Sequence, residues 1–258
     1  MTLKRALPQA SANDDKRVPR VLLTQHNLRH CHAGMVEMGK WLAETEACVA
    51  MIQEPLFNRR SAHSLGPGVQ ATYLRNTDIN IPVRSAILSR YSNVWLCPHF
   101  SGNDVTTAIM KMRDVEIYVV SAYCDITVGE VPVELNRLML ERDRPVIIGM
   151  DSNAHSTLWN CDVTNARGEM VEHFIMQNDL QILNKGDRKT FLSGVGSSII
   201  DITLCTPDLV EFISDWEVSL EFNFSDHRRI TFNLNKSISL KRRQLNLKKC
   251  DWGKFCKL

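Results

Sequence analysis

Three short strings of polar residues in this chain have the composition of a hydrolytic metal site. They are Gln53-Glu54 early in the chain, Asp151-Ser152-Asn153 in the middle and Ser225-Asp226-His227 near the end. A divalent-metal phosphodiesterase needs a carboxylate to hold a cation, an acid to orient the attacking water and an imidazole beside the scissile phosphate. The strings supply each of these groups, so their joint occurrence in this order predicts phosphodiester chemistry.

Residues at the ends of predicted strands have separate chemical roles in such a site. A single carboxylate such as Glu54 suits Mg²⁺, which keeps most of its waters and takes one or two protein carboxylates. Asp151 is expected to orient or deprotonate the attacking water, while Asn153 and Tyr123 donate hydrogen bonds to the phosphoryl oxygens. Polar groups at the strand ends of an α/β sandwich converge on one rim, so we expect these side chains to lie together.

Asp201 and His227 are expected to form a pair at the same rim. Asp201 lies in the apolar run Ile199-Ile200-Asp201-Ile202, where an acid is costly unless it is paired. It is suited to fixing the tautomer of His227, which would contact the phosphate as a base or as a charged clamp.

Each of these residues also has a purely structural interpretation. Asn27, at the end of the first predicted strand, is a favoured helix-cap residue, and Glu54 before Pro55 fits a solvated turn. Asp226-His227 alone is more often a surface pair. The ordered set favours function, because no single alternative explains all of its members.

The hydrophobic pattern predicts strands alternating with a few helices. Strands are predicted at 20–27, 47–53, 84–89, 94–97, 105–112, 115–123, 146–150, 199–205, 216–220 and 229–234, and helices around 35–42 and at 134–142 and 168–178. The four strands between 84 and 123 follow one another through short turns, which predicts an antiparallel sheet. Many strands with few helices predict an α/β fold of two packed sheets with helices outside.

The composition fits one folded domain. The chain has 258 residues, 44% of them apolar, which is enough to bury a full core. No apolar run reaches the roughly 18 residues of a membrane span and no signal peptide is recognisable, so we expect a soluble intracellular protein. The eight cysteines form no CxxC pair and are expected to be reduced. Residues 236–258 hold eight Lys or Arg residues against Asp251, which fits a nucleic-acid contact or a solvated linker.

The complete motif series resembles the endonuclease/exonuclease/phosphatase superfamily over residues 20–235. The series is Gln25-x-Asn27, Gln53-Glu54, Ser121-Ala122-Tyr123, Asp151-Ser152-Asn153, Ile200-Asp201 and Ser225-Asp226-His227. Within that superfamily, a second series resembles the apurinic-type endonuclease domains of non-LTR retrotransposons. It consists of Asp151-Ser152-Asn153-Ala154-His155-Ser156, Leu158-Trp159, Asn165-x-Arg167-Gly168 and Thr190-Phe191.

The resemblance implies a four-layered α/β sandwich with two packed mixed sheets flanked by helices. It also implies an endonuclease dependent on Mg²⁺, with Mn²⁺ as the alternative, that nicks double-stranded DNA and leaves a 3′-hydroxyl for retrotransposon integration. It further implies a nuclear location, no membrane partner and a covalent continuation into a reverse transcriptase region. Residues 1–19 would then be a flexible segment and 236–258 a basic tail or linker toward that region.

The resemblance also assigns roles to individual residues. It implies Glu54 as the principal metal ligand with Asn27 and Asp226; Tyr123, Asp151 and Asn153 around the phosphate; Asp201 paired with His227; and Arg167, Thr190, Phe191 and His155 as DNA contacts.

For three of these predicted DNA contacts, the residue type and position also indicate how the side chain would bind DNA. Phe191 at the tip of a hairpin would enter the minor groove while the hydroxyl of Thr190 touches phosphate, although Phe191 fits a core position equally well. Arg167 opens a helix, where a guanidinium and backbone N–H groups hold phosphate, or where the arginine simply lies at the surface.

Departures from the superfamily pattern bear on the substrate. Gly149-Met150-Asp151-Ser152-Asn153 replaces the usual Gly-Asp-Phe-Asn but keeps the Asp-x-Asn spacing. Cys124-Asp125 follows Tyr123 in place of the Pro-Asn of abasic-site repair enzymes, which argues against repair. A phosphatase or RNA-directed nuclease of the same superfamily and an inactive element copy remain the alternatives.

A cluster of histidines and a cysteine also has ligand types that suit zinc. Its members are His26, His30, Cys31 and His32. Their spacing matches no zinc-finger pattern, so we expect them to line the entrance of the cleft near Asn27.

Overall fold

The computed structural model describes residues 20–46, 48–57, 65–73, 83–113 and 115–235. The segment at 1–19 and the basic tail at 236–258 lie outside the described residues. No helix within these ranges is both long and apolar enough to cross a membrane.

Strands outnumber helices along the described chain, as the hydrophobic pattern predicts. The strands are β1 (Arg20–Asn27), β2 (Cys48–Gln53), β3 (Gln70–Thr72), β4 (Ser85–Ser89), β5 (Val94–Leu96), β6 (Val105–Met112), β7 (Val115–Tyr123), β8 (Val146–Asp151), β9 (Gln181–Ile182), β10 (Phe191–Ser193), β11 (Gly196–Ser198), β12 (Asp201–Cys205), β13 (Ile213–Val218) and β14 (Ile230–Asn235). The α-helices are α1 (His32–Glu44), α2 (Val133–Glu141) and α3 (Ala166–Gln177), with 3-10 turns at Pro98–Phe100, Thr157–Trp159 and Pro207–Phe212.

Two mixed six-stranded sheets form the centre of the fold. Their strand orders are β13-β14-β1-β2-β4-β3 and β5-β6-β7-β8-β12-β9, while β10 and β11 make a separate hairpin. Fully buried side chains such as Met51 and Val119 fill the space between the sheets. Met38 of α1 packs on the outer face of the first sheet, and Leu138 of α2 and Phe174 of α3 on the second. This four-layered sandwich confirms the expected fold class, since each sheet buries both faces.

Strand register gathers the predicted catalytic residues at one edge. In the parallel β7–β8 pair Tyr123 stands beside Asp151, and in the antiparallel β8–β12 pair Asp151 stands beside Asp201. In the other sheet, the parallel β1–β2 pair sets Asn27 beside Gln53, the residue before Glu54. The strand ends of both sheets therefore lie at one rim.

Two buried glutamines tie the two sheets together near this rim. The Gln25 amide donates to the carbonyl of Met150 at 2.9 Å. The Gln53 amide donates to the Ser121 hydroxyl at 3.0 Å and to the Gly149 carbonyl at 3.1 Å. Because a buried amide must find partners inside the protein, these bonds fix β1 and β2 against β7 and β8.

The structure differs from the predicted strands in two respects. β4 pairs with β2 and β3 in the first sheet, so the antiparallel succession predicted between 84 and 123 holds only for β5, β6 and β7. The prediction was wrong here because a short connection does not reveal which sheet a strand joins. The short strands β3, β9, β10 and β11 were not predicted, since none of them has the run of three apolar residues that marks β5.

Candidate active site

An imidazole lies between two buried carboxylates at the rim. His227 Nδ1 is 2.9 and 3.0 Å from the two oxygens of Asp201, and His227 Nε2 is 4.0 Å from Asp151 Oδ2. All three residues are at least nine-tenths buried. A proton on Nδ1 that is donated to Asp201 leaves Nε2 as the nitrogen that faces Asp151 and the cleft, which is the tautomer expected from the sequence.

The pKa values of Asp151 and His227 are both raised in these surroundings. Burial, followed by the charge of Asp201, raises the pKa of Asp151 to about 7. Burial alone lowers the pKa of His227, but the charge and hydrogen bond of Asp201, with the charge of Asp151, outweigh it and raise the pKa to about 9. Asp151 is therefore poised to accept a proton near neutral pH, beside an imidazolium.

Two asparagines hold the Asp151 carboxylate in place. Asn27 Nδ2 donates to Asp151 Oδ2 at 2.8 Å, and the Asn153 backbone N–H donates to Oδ1 at 3.2 Å. Asn153 has a φ of +46°, a left-handed conformation that asparagine tolerates, and its amide donates to the Cys124 carbonyl at 3.1 Å. Asn27 thus acts on Asp151, a contact that sequence reasoning did not find.

Glu54 and Tyr123 complete the rim. Glu54 follows β2 with a φ of +46°, its N–H donates to the Arg84 carbonyl at 2.9 Å, and its carboxylate is 3.7 Å from His30 Nε2. Burial, then the charges of Glu54 and Asp151, raises the pKa of Tyr123 to about 12. The phenol therefore stays protonated and able to donate a hydrogen bond.

Arg84 is a member of the rim that the sequence did not reveal. Its guanidinium makes a two-pronged ion pair with Asp104, a second ion pair with Asp125, and lies 5.3 Å from the ring centroid of Tyr123. The hydrogen bonds from Thr127 and Arg84 lower the pKa of Asp125 to about 2. Arg84 thus places a positive charge beside Tyr123 and neutralises acids that would repel a phosphate.

The donor atoms at this rim fit a divalent cation with oxygen ligands. Within the described ranges, Asp151, Asp201 and His227 form a possible metal-binding group, with ligand atoms within 4.8 Å of one another. Those atoms already bond to one another or to Asn27, so an ion there would replace existing hydrogen bonds. Glu54 keeps a side chain that is 21% exposed and free of short hydrogen bonds among the described contacts, which makes it the more accessible ligand.

Asp226, a predicted metal ligand, and two of the histidines expected at the cleft entrance have other partners. Asp226 forms an ion pair with Arg29 at 3.1 Å, so its predicted metal contact requires Arg29 to yield. His26 is buried, its Nε2 lies 3.1 Å from the His227 carbonyl, and burial lowers its pKa to about 3. His30 Nδ1 lies 3.0 Å from the Pro55 carbonyl, so this ring nitrogen faces the backbone.

Comparisons with known proteins agree with this geometry. A family model described as Endonuclease-reverse transcriptase matches residues 117–231. The solved endonuclease domain of TRAS1, a telomere-specific non-LTR retrotransposon, superposes with a TM-score of 0.73 at 27% identity, covering 84% of this chain and 99% of that chain. The chain thus resembles the endonuclease/exonuclease/phosphatase superfamily in sequence and fold. Its resemblance to the non-LTR retrotransposon endonuclease domains is confirmed.

Two curated relatives of this chain come from retrotransposable elements. The Retrovirus-related Pol polyprotein from type-1 retrotransposable element R1 of Bradysia coprophila is 27% identical over 166 residues, which is 57% of this chain and 16% of that protein. The Putative 115 kDa protein in type-1 retrotransposable element R1DM of Drosophila melanogaster is 24% identical over 225 residues, 80% of this chain and 21% of that protein. The chain thus spans roughly a fifth of the length of these relatives.

Arg167 donates hydrogen bonds to several protein carbonyls near the site. Its guanidinium donates to the carbonyls of Asn153 at 2.9 Å, Val128 at 2.6 Å and Cys124 at 3.3 Å. These carbonyls belong to the loops that follow β7 and β8. Because the donors of the guanidinium point at these loops, Arg167 joins the segments that carry Tyr123 and Asn153. A phosphate contact by Arg167 stays a prediction.

Replacing Arg167 by methionine is expected to lower the free energy of unfolding by about 3 kcal/mol, because several half-buried carbonyls lose their donor. Urea denaturation measures the loss. The matched control is Arg137→Met, since Arg137 is exposed and donates to the His99 carbonyl at 3.2 Å. If the two variants are equally stable and only Arg167→Met binds DNA more weakly, the result would support the predicted phosphate contact.

Thr190 and Phe191 also differ from their predicted roles. Thr190 is fully buried, and its hydroxyl oxygen accepts from the N–H groups of Ile200 at 3.2 Å and Asp201 at 3.1 Å. Phe191 lies at the base of the β10–β11 hairpin, not at its tip, with its ring 4.9 Å from the His227 ring. Thr190 thus positions Asp201, and Phe191 packs against the imidazole; the exposed hairpin tip carries Val195 instead.

His155 is half-buried beside the start of α3. Its backbone N–H donates to Asn165 Oδ1 at 3.2 Å and its carbonyl accepts from the Asn165 N–H at 3.0 Å. Gly168 permits this approach, since a Cβ there would lie 1.8 Å from the His155 oxygen. A DNA contact by the His155 ring stays a prediction.

Proposed function

We propose that this chain is a Mg²⁺-dependent endonuclease that nicks one strand of double-stranded DNA and leaves a 3′-hydroxyl. The observation that carries the proposal is the imidazole of His227 between Asp201 and Asp151, at a rim that Glu54 and Tyr123 also face. A general base, a charged hydrogen-bond donor and an accessible carboxylate are the groups that hydrolysis of a phosphodiester requires.

In the proposed reaction Asp151 takes a proton from the attacking water. The water oxygen forms a bond to phosphorus, the bond from phosphorus to the 3′-oxygen breaks, and the 3′-oxygen takes up a proton. The Tyr123 hydroxyl and the Asn153 amide donate to the non-bridging oxygens as their charge grows, and the His227 imidazolium adds positive charge. Asn27 keeps the Asp151 carboxylate aligned through its 2.8 Å hydrogen bond.

A divalent cation would supply further charge stabilisation at the phosphate and the leaving oxygen. Glu54 is the proposed principal ligand, with Asn27 and Asp226 near it. The Oδ1 of Asn27 accepts the Arg29 N–H at 2.8 Å and keeps a second lone pair for an ion. Mg²⁺ is the proposed ion because the ligands are oxygens, and Mn²⁺ is the alternative.

Changing Glu54 to glutamine is expected to weaken Mn²⁺ binding about tenfold or more, because the carboxylate charge is lost while the side-chain shape is kept. Calorimetric titration of the DNA-free chain with Mn²⁺ gives the affinity, and plasmid nicking should then need more Mg²⁺. Glu130→Gln, at an exposed acid, is the control. Unchanged Mn²⁺ affinity in Glu54→Gln would move the metal site to Asp151, Asp201 and His227.

Incubation of the purified chain with supercoiled plasmid and Mg²⁺ tests the proposed function. Nicked circles that a DNA polymerase can extend without further processing would establish nicking and the 3′-hydroxyl. Parallel assays with RNA and with phosphorylated small molecules address the superfamily's other substrates. Failure to nick, or a preference for either of these substrates, would reject the DNA endonuclease.

The proposal also covers the larger protein to which the domain belongs and the compartment in which it acts. The names of both curated relatives place them in retrotransposable elements, and one is a Pol polyprotein. We therefore propose that residues 20–235 form the endonuclease domain, that 236–258 lead toward a reverse transcriptase region, and that the protein acts in the nucleus.

A further inference from the structure

Exposed apolar side chains concentrate in the segment before Ser225-Asp226-His227. Leu220, Phe222 and Phe224 are 68%, 82% and 53% exposed. We call residues 220–224 the aromatic loop. The rings of Phe222 and Phe224 contact each other edge-on, with centroids 5.4 Å apart. Apolar groups gathered in this way mark an interaction surface more often than single exposed residues do.

The aromatic loop is anchored to the catalytic segment. Asn223, between the two phenylalanines, donates from its amide to the His227 carbonyl at 3.0 Å, and its Oδ1 accepts from the Ser225 N–H at 2.8 Å. The Ser225 hydroxyl donates to the Asn27 carbonyl at 2.7 Å. These bonds fix the backbone that carries both rings relative to His227.

The aromatic loop lies close to His227 along the chain, and this proximity indicates what binds to it. Phe224 lies three positions before His227, so their Cα atoms are at most about 11 Å apart. This is about the width of a DNA major groove. A duplex with its scissile phosphate at His227 therefore passes within reach of the aromatic loop.

The charges around the loop are compatible with DNA. Glu221 is ion-paired with Arg229, and Asp226 is ion-paired with Arg29 at 3.1 Å. Both acids near the aromatic rings thus have a cationic partner, which reduces their repulsion of phosphate. The β10–β11 hairpin is anchored to the same segment, since the Leu192 N–H donates to the Asp226 carbonyl at 2.8 Å.

We propose that Phe222 and Phe224 contact the bases of duplex DNA beside the scissile phosphate and favour steps that unstack easily. This inference rests on the proposed endonuclease function. An apolar wedge between base steps bends a duplex at a cost that depends on sequence, so the aromatic loop would contribute to the choice of nicking site.

The test compares the double variant Phe222→Ala/Phe224→Ala with the wild-type chain. Nick positions are first mapped on supercoiled plasmid, and a duplex oligonucleotide containing the strongest wild-type site then serves as the binding probe in EDTA. The double variant should bind this duplex about tenfold more weakly, as for the loss of one stacking contact. The slope of log affinity against log salt should not change, because no phosphate contact is lost.

Leu140→Ala is the matched control, since Leu140 on α2 is 86% exposed. If the wild-type chain nicks DNA and the double variant binds the duplex like this control, the aromatic contact is rejected while the endonuclease function stands. The loop would then be a docking surface for another protein. If the wild-type chain does not nick, the endonuclease function is rejected, and the inference is rejected with it.

Discussion

Replacing Asp151 by asparagine is expected to slow plasmid nicking at least about a thousandfold while the chain stays folded. Asparagine has the same shape, and its amide oxygen can still accept one of the two hydrogen bonds that the carboxylate oxygens accept from Asn27 and from the Asn153 N–H. It cannot take a proton from water, so the proposed general base is lost. Single-turnover nicking at saturating Mg²⁺ measures the effect.

The same substitution should stabilise the metal-free chain above neutral pH. The pKa of Asp151 rises from 3.8 to about 7 because of burial and then the Asp201 charge. A carboxyl whose pKa is raised by folding destabilises the native state progressively as pH rises from the unfolded to the folded pKa, and fully above it. Asparagine carries no such penalty, so thermal melts in EDTA should show a gain at about pH 8 that disappears at about pH 4.

Asp162→Asn provides the control for both measurements, because Asp162 is an exposed acid. It should leave nicking and melting unchanged. If Asp151→Asn nicks within about tenfold of wild type, Asp151 is not the general base, since that role contributes at least a hundredfold. A gain in stability without a loss of nicking would make it a structural acid.

Much of the fold and the catalytic group could be predicted because the relevant signals are local. Apolar runs that end at Asn27, Tyr123 and Asp151 predicted three strands whose ends the structure places at one rim. Asp201, an acid inside an apolar run, predicted a buried partner, and His227 is that partner. Burial of a charge demands compensation, so even a short string predicted a long-range contact.

Other contacts were not predictable because their partners are distant in sequence. Arg84 meets Asp125 and Arg167 meets the carbonyls after β7 only once the strands are assembled. The buried hydroxyl of Thr190 and the pairing of Arg29 with Asp226 depend in the same way on tertiary packing. Local sequence marks these residues as polar, and polar residues are usually exposed, so the pattern did not reveal the internal contacts that they make.

Substitutions of His227 and Asp201 should distinguish two effects on nicking: the loss of the imidazole and the loss of the charge that orients it. His227→Ala is expected to slow nicking about a thousandfold, because the proposed phosphate donor is lost. Asp201→Asn keeps the imidazole but removes the charge opposite Nδ1, and is expected to cost about a hundredfold. Asp208→Asn, at an exposed acid, is the control.

The pKa of His227 explains why Asp201→Asn should also change the pH dependence. In the wild-type chain Asp201 outweighs the effect of burial and raises this pKa to about 9, so the imidazole is charged at neutral pH. Without the Asp201 charge, burial dominates and the His227 pKa falls, which NMR titration of the imidazole would detect. The raised pKa stabilises the native state below the ordinary value of 6.5, and this stabilisation is lost as pH rises through about 9.

The direction of the pH effect distinguishes a charged clamp from a base. If His227 acts as an imidazolium on the phosphate, nicking by Asp201→Asn should fall as pH rises through the lowered pKa, because the positive charge disappears there. If His227 acts as the base, nicking should rise over the same interval. The pKa values favour the clamp, since Asp151, with a pKa of about 7, is already the acceptor best matched to neutral pH. A rise in nicking with pH would therefore exchange the proposed roles of the two residues.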